Sequence, residues 1–117
     1  MPYLLLLERL LRAVPGSQAT LLLDALGELV VDAGARDERN RLIGAYQGIS
    51  LAAARRTTDR YAGGRVECIV CRYTGGTVIV RSLKDGYYLV LSLSVEASLA
   101  QAMRHSAVAQ EGLEAEL

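Results

Sequence analysis

The chain has 117 residues, 51% of them hydrophobic, with thirteen Lys or Arg balancing thirteen Asp or Glu. That is one domain's worth of core, and zero net charge removes the overall basic footprint of a nucleic-acid binder. No run reaches the roughly 18 uncharged apolar residues that span a bilayer, because Leu4-Leu5-Leu6-Leu7 meets Glu8, Arg9 and Arg12 at once. A signal peptide's basic start and long apolar middle are also missing, so a cytoplasmic chain without membrane insertion is expected.

From Pro2 to Val14 the pattern PYLLLLERLLRAV sets Leu4, Leu7, Leu11 and Val14 at helical spacing. Pro2 suits a first turn and Pro15-Gly16 a stop, which predicts a first helix. Ala19 to Asp24 and Glu28 to Asp32 are short apolar runs around Ala25-Leu26-Gly27 and read as a strand hairpin. After Gly34 the period changes, and Leu42, Ala45, Tyr46, Ile49 and Ala53 recur three and four residues apart. At about 100° per residue they form one face, predicting a long helix from about Asp37 to about Tyr61 with that face on the sheet.

Gly63-Gly64 ends this helix, and strands are expected at Arg65 to Tyr73, Thr77 to Leu83 and Tyr87 to Leu93. Their connections, Thr74-Gly75-Gly76 and Lys84-Asp85-Gly86, carry turn chemistry, so the strands are antiparallel. Runs such as Tyr87-Tyr88-Leu89-Val90-Leu91 are apolar on both faces, which calls for helices on both sides of the sheet. Ser94 is the candidate cap of a last helix carrying Glu96, Ala97, Ala100, Met103 and Ala107, with residues 110–117 as a fraying tail. The whole of 1–117 is therefore expected to form one α+β domain, a three-layer α/β/α sandwich. Its five-stranded, mostly antiparallel sheet follows the order α-β-β-α-β-β-β-α.

No motif points to catalysis. Cys68-Ile69-Val70-Cys71 has the spacing of a redox or zinc pair, but side chains three apart on a strand point to opposite faces. There is no second pair, and His105 is the sole histidine, so both cysteines are expected to be buried packing residues and no metal is expected. An oxidation-sensitive role for Cys68 is the lesser alternative. Gly63-Gly64 and Gly75-Gly76 have neither the Walker lysine nor the Rossmann spacing, and no cofactor is expected.

The remaining signal is in the long helix, where Gly44, Gly48, Leu51 and Arg55 share a second face bordered by Ala52. Glycine costs about 1 kcal/mol relative to alanine in a helix, so two of them ask for a reason. Either they let the helix sit close to its own sheet or they admit a partner helix, and an otherwise uncovered Leu51 favours the second. Around this helix Arg36, Arg39, Arg41, Arg55, Arg56 and Arg60 exceed Asp37, Glu38 and Asp59 by three charges, and Lys84 is the only lysine. Arginine is favoured at interfaces, yet a charge run is as often a solvated face.

The order of elements resembles the Roadblock/LC7 family over nearly the whole chain. The resemblance is carried by LLERLLRAVPGSQATLLLDALGELVVDAG, by GAYQG in the second helix and by the closing DGYYLVLSL. It implies a non-catalytic homodimer, or a paralogous heterodimer, whose third strands pair edge to edge while the second helices meet over one continuous sheet. On that implication the dimer-interface candidates are Gly44, Gly48, Leu51, Ala52, Val66, Cys68 and Val70. Bacterial members of the MglB type bind and regulate small Ras-like GTPases, which makes Gln47, Leu51, Arg55, Arg56 and Asp59 the partner-binding candidates. Other members are light chains or scaffold subunits, and that role is the alternative.

Overall fold

The structure is a computed structural model and describes residues 2–34, 38–61 and 63–117, without the side chains of Arg41, Leu42 and Ala45. Expectations placed on Arg36, Asp37 and those three side chains lie outside the described residues. The elements run α1 (Pro2–Ala13), β1 (Ser17–Leu23), β2 (Leu29–Gly34), α2 (Glu38–Arg60), β3 (Cys68–Tyr73), β4 (Gly76–Ser82), β5 (Tyr88–Leu93) and α3 (Leu99–Glu116). The five strands form one sheet in the order β2-β1-β5-β4-β3, with every pairing antiparallel.

Strand alternation divides the core in two. Leu22, Ile79, Leu89 and Leu91 point to one side, where they meet Leu7, Leu10 and Val14 of α1 and its end together with Ala102, Ala109 and Leu113 of α3. Leu21, Leu23, Val78, Val80, Tyr88 and Val90 point to the other, where Leu51 of α2 is buried with them. The three-layer sandwich expected from doubly apolar strands is therefore present, with two helices on one face and a single helix on the other. Among the described residues no helix is long and apolar enough to cross a membrane.

The hairpin strands are shifted from expectation to Ser17–Leu23 and Leu29–Gly34, and three further differences concern the last helix and the third strand. The last helix is capped by Ser98, whose hydroxyl accepts a hydrogen bond from the Gln101 amide at 3.2 Å, rather than by Ser94. Ser94 instead closes a turn by accepting from the Ala97 amide. The closing residues are helical to Glu116 rather than a loose tail, because Leu113 is buried against α1 and the Tyr3 hydroxyl donates to the Glu116 carbonyl. The third strand begins at Cys68, not Arg65, although the Ser82 amide still donates to the Glu67 carbonyl.

Candidate functional site: the outer face of the second helix and the free edge of the sheet

Helix α2 crosses the sheet with its glycines inward. A Cβ on Gly44 would lie 3.3 Å from Leu21 Cδ2, and one on Gly48 would lie 2.8 Å from the Tyr88 hydroxyl oxygen. The Tyr88 hydroxyl donates to the Gly44 carbonyl at 3.3 Å, and burial holds its pKa above the ordinary phenol value, so it stays a protonated donor. Leu51 is 1% exposed on the same face, and the Arg55 guanidinium extends this row to donate to Ser82 Oγ at 2.6 Å. Close approach of backbone to sheet is thus what the small residues permit.

This corrects the assignment of Gly44, Gly48 and Leu51 to a partner's cover, since the layer they touch is the chain's own sheet. The helical face expected on the sheet is the one turned outward: Tyr46 is 64% and Ile49 66% exposed, and Ala53 is exposed beside them. At about 100° per residue Arg56 and Arg60 continue that outer row, and both are exposed. The result is an apolar stripe, led by a tyrosine and an isoleucine, with arginines at its C-terminal end. Of the remaining candidates on α2, Ala52 and Gln47 are half-buried at the borders and Asp59 is exposed.

Beside this stripe the sheet ends in β3, which among the described residues pairs with β4 and with no further strand. Its outer backbone groups form an unpaired edge, the kind of edge that recruits another strand unless it is blocked. Val70, in the middle of β3, is 40% exposed. Val66 lies before the strand and packs half-buried into the core beneath α2. Cys68 packs half-buried against the core of the opposite layer, whereas Cys71 is exposed. The two cysteines are therefore on opposite faces, as strand alternation requires, but neither is fully buried as expected.

Burial pushes the Cys68 thiol up despite the nearby Arg81 charge, which acts the other way. Alkylation of the native protein at pH 7.5 should label Cys71 first, with Cys68 slower by about tenfold or more. Peptide mass spectrometry over a time course would read the order of labelling, and equal rates would contradict this placement.

Among the described residues no three His, Cys, Asp or Glu side chains converge to hold a metal. His105 lies on α3 and lines a small groove between α3 and α1 with Leu6, Leu10 and Val108. The chemistry on offer at α2 and β3 is surface recognition: an apolar stripe, fixed cations and an open strand edge.

No family model matches the sequence, and no curated protein matches it. Solved structures do match in fold. The Roadblock/LC7 domain from Streptomyces avermitilis superposes with a TM-score of 0.86 at 19% identity, over 97% of this chain and 95% of that one. The gliding protein MglB from Thermus thermophilus gives 0.86 at 20% identity, over 97% and 86%. MglC from Myxococcus xanthus gives 0.71 at 17% identity, each chain covered over its full length. Over nearly its whole length the chain has the Roadblock/LC7 fold.

Proposed function

We propose that this protein is a non-catalytic dimeric adaptor that binds a small Ras-like GTPase through the outer faces of two α2 helices. The observation that carries the reading is the stripe of Tyr46, Ile49 and Ala53, exposed and ending in Arg56 and Arg60. A tyrosine and an isoleucine set among arginines have the composition of an interface centre rather than of ordinary surface. The open edge of β3 supplies the second element, because antiparallel pairing of two such edges removes both from solvent and joins the sheets. That pairing would lay two α2 stripes on the same side of one continuous sheet. The family resemblance and the fold shared with MglB supply the class of partner.

In this reading Arg56 is a docking cation at the border of the stripe. Arg55 is already engaged with Ser82 and contributes by holding α2 to β4. That engagement counts against Arg55 as an arginine inserted at the reacting phosphate, and promotion of GTP hydrolysis in this reading comes from what the dimer does to the GTPase's own loops.

The test is co-elution, on a sizing column with light scattering, with a Ras-like GTPase from the same genome, loaded with a GTP analogue or with GDP. A dimer is expected to bind the GTP-analogue form selectively, and Ile49→Asp to weaken that binding by about tenfold or more while the dimer persists. Unchanged binding by Ile49→Asp would remove the stripe from the interface. An intact dimer that ignores both nucleotide forms would favour a scaffold or light-chain role.

A further inference from the structure

On the side of the sheet opposite α2, the flank of α3 and the start of β3 enclose a cleft of about 460 Å³ that includes Arg65, Glu67, Arg81, Gln110, Glu111 and Glu114. Arg81 is buried on β4, and each of its three nitrogens donates a hydrogen bond within the chain. Its Nε donates to Ser106 Oγ at 2.9 Å, Nη1 to Gln110 Oε1 at 3.1 Å and Nη2 to the Met103 carbonyl at 2.9 Å. These acceptors are all neutral. Three carboxylates therefore share the cleft with two guanidiniums, and one guanidinium is occupied by the fold. Glu114 Oε1 is buried there without a hydrogen-bond partner among the described residues. A buried carboxylate oxygen in that state is costly until a donor reaches it.

The missing cation is present on the edge strand. Arg72 is exposed on β3, and the register that pairs Cys68 with Arg81 and Arg72 with Thr77 puts Cys68, Val70 and Arg72 on the α3 side of the sheet. Within one chain Arg72 is five residues along from Glu67, which lines the cleft. When two β3 edges pair antiparallel, the order reverses, and the Arg72 end of one strand lies beside the Cys68 end of the other. Adjacent strands are about 4.8 Å apart, a gap that a side chain as long as arginine's crosses.

We infer that Arg72 of each copy enters the acidic cleft of the other, donating to Glu114 and Glu111, so that each cleft is completed only by the second copy. The occupant follows from charge complementarity and from continuity with the β3 edge. The inference rests on the edge pairing of β3 proposed above. It adds a device for choosing the partner strand, because an edge lacking a cation at this position would leave the cleft one charge short.

The experiment is a charge exchange at two exposed positions, Arg72→Glu and Glu111→Arg, read as dimer dissociation constants by sedimentation, with thermal melts confirming that each variant is folded. Each variant alone is expected to dimerise about tenfold more weakly than the parent. An equimolar mixture should recover most of that loss, because the mixed dimer pairs opposite charges at both clefts. Val70→Lys, which places like charges at the middle of the seam, separates the two ideas. If Val70→Lys breaks the dimer while Arg72→Glu and Glu111→Arg leave it unchanged, or if mixing restores nothing, the arginine assignment is wrong and the edge pairing stands. If Val70→Lys dimerises like the parent, the edge pairing is wrong and the inference falls with it.

Discussion

Truncating Leu51 to alanine is expected to destabilise the protein by about 2–5 kcal/mol, the range for removing a fully buried leucine from a packed core. Ile49→Ala, two residues away, should change stability by no more than about 0.5 kcal/mol, as ordinary surface substitutions do. The contrast follows from the phase of α2. Leu51 is 1% exposed and is buried with Leu21, Leu23, Val78, Val80, Tyr88 and Val90. Ile49 is on the opposite side of the same turn and projects outward. Urea denaturation of the two variants measures the difference directly. Equal losses would mean that α2 is rotated from the position described, and would also remove the basis for reading Tyr46 and Ile49 as a partner face.

The second large effect is expected at Gly48. Replacing it with leucine should cost about 3 kcal/mol or more, beyond the usual overpacking range of about 1–3 kcal/mol only if α2 lifts from the sheet. A Cβ there would already be 2.8 Å from the Tyr88 hydroxyl oxygen, and Tyr88 is itself buried and tied to the Gly44 carbonyl. Gly48→Ala is the informative companion, because alanine gains about 1 kcal/mol of helix propensity over glycine. A net loss for Gly48→Ala would show that the contact with Tyr88 outweighs propensity. Pairing each change with Tyr88→Phe, which removes the oxygen in question, should recover a large part of the loss. If Tyr88→Phe recovers nothing, the glycine is required for some other reason.

The phase of α2 is also where sequence and structure part. The 3.6-residue period was legible, as were the element order, the doubly covered sheet and the hairpins. The choice of which stripe faces inward was not, because Tyr46, Ile49 and Ala53 form a more apolar row than Gly44, Gly48 and Leu51. Hydrophobicity alone puts the wrong row on the sheet. What reverses the choice is a size match across layers: the bulk of Tyr88 on β5 occupies the space that a side chain at 48 would take, and nothing in the helix's own residues shows which strand residue lies opposite.

The cap of α3, by contrast, had a usable signal. Ser98 is followed three residues later by Gln101, the spacing of a capping box, whereas Ser94 is followed by Ala97. Glu114 and Arg81 illustrate a further limit, since their residue types are unremarkable on a surface and become informative only when both are found in one cleft. The sequence named a candidate region, the second helix with the third strand, but did not sort its residues into inward and outward ones.

The two faces of the sheet are unequally secured. One carries two helices whose buried side chains interlock with each other and with the strands, while the other carries a single helix seated, among the described residues, by glycines, Leu51, the half-buried Ile43 and a tyrosine hydroxyl. Free energies of local opening follow such differences in buried apolar contact, so α2 is the layer that detaches at least cost and the first whose amides exchange with solvent. On the proposed reading, the partner surface is carried by the sheet face that has one helix rather than two. Occupation of that surface would tighten the helix beneath it, and the affinity for the proposed partner would then include the free energy of holding α2 down.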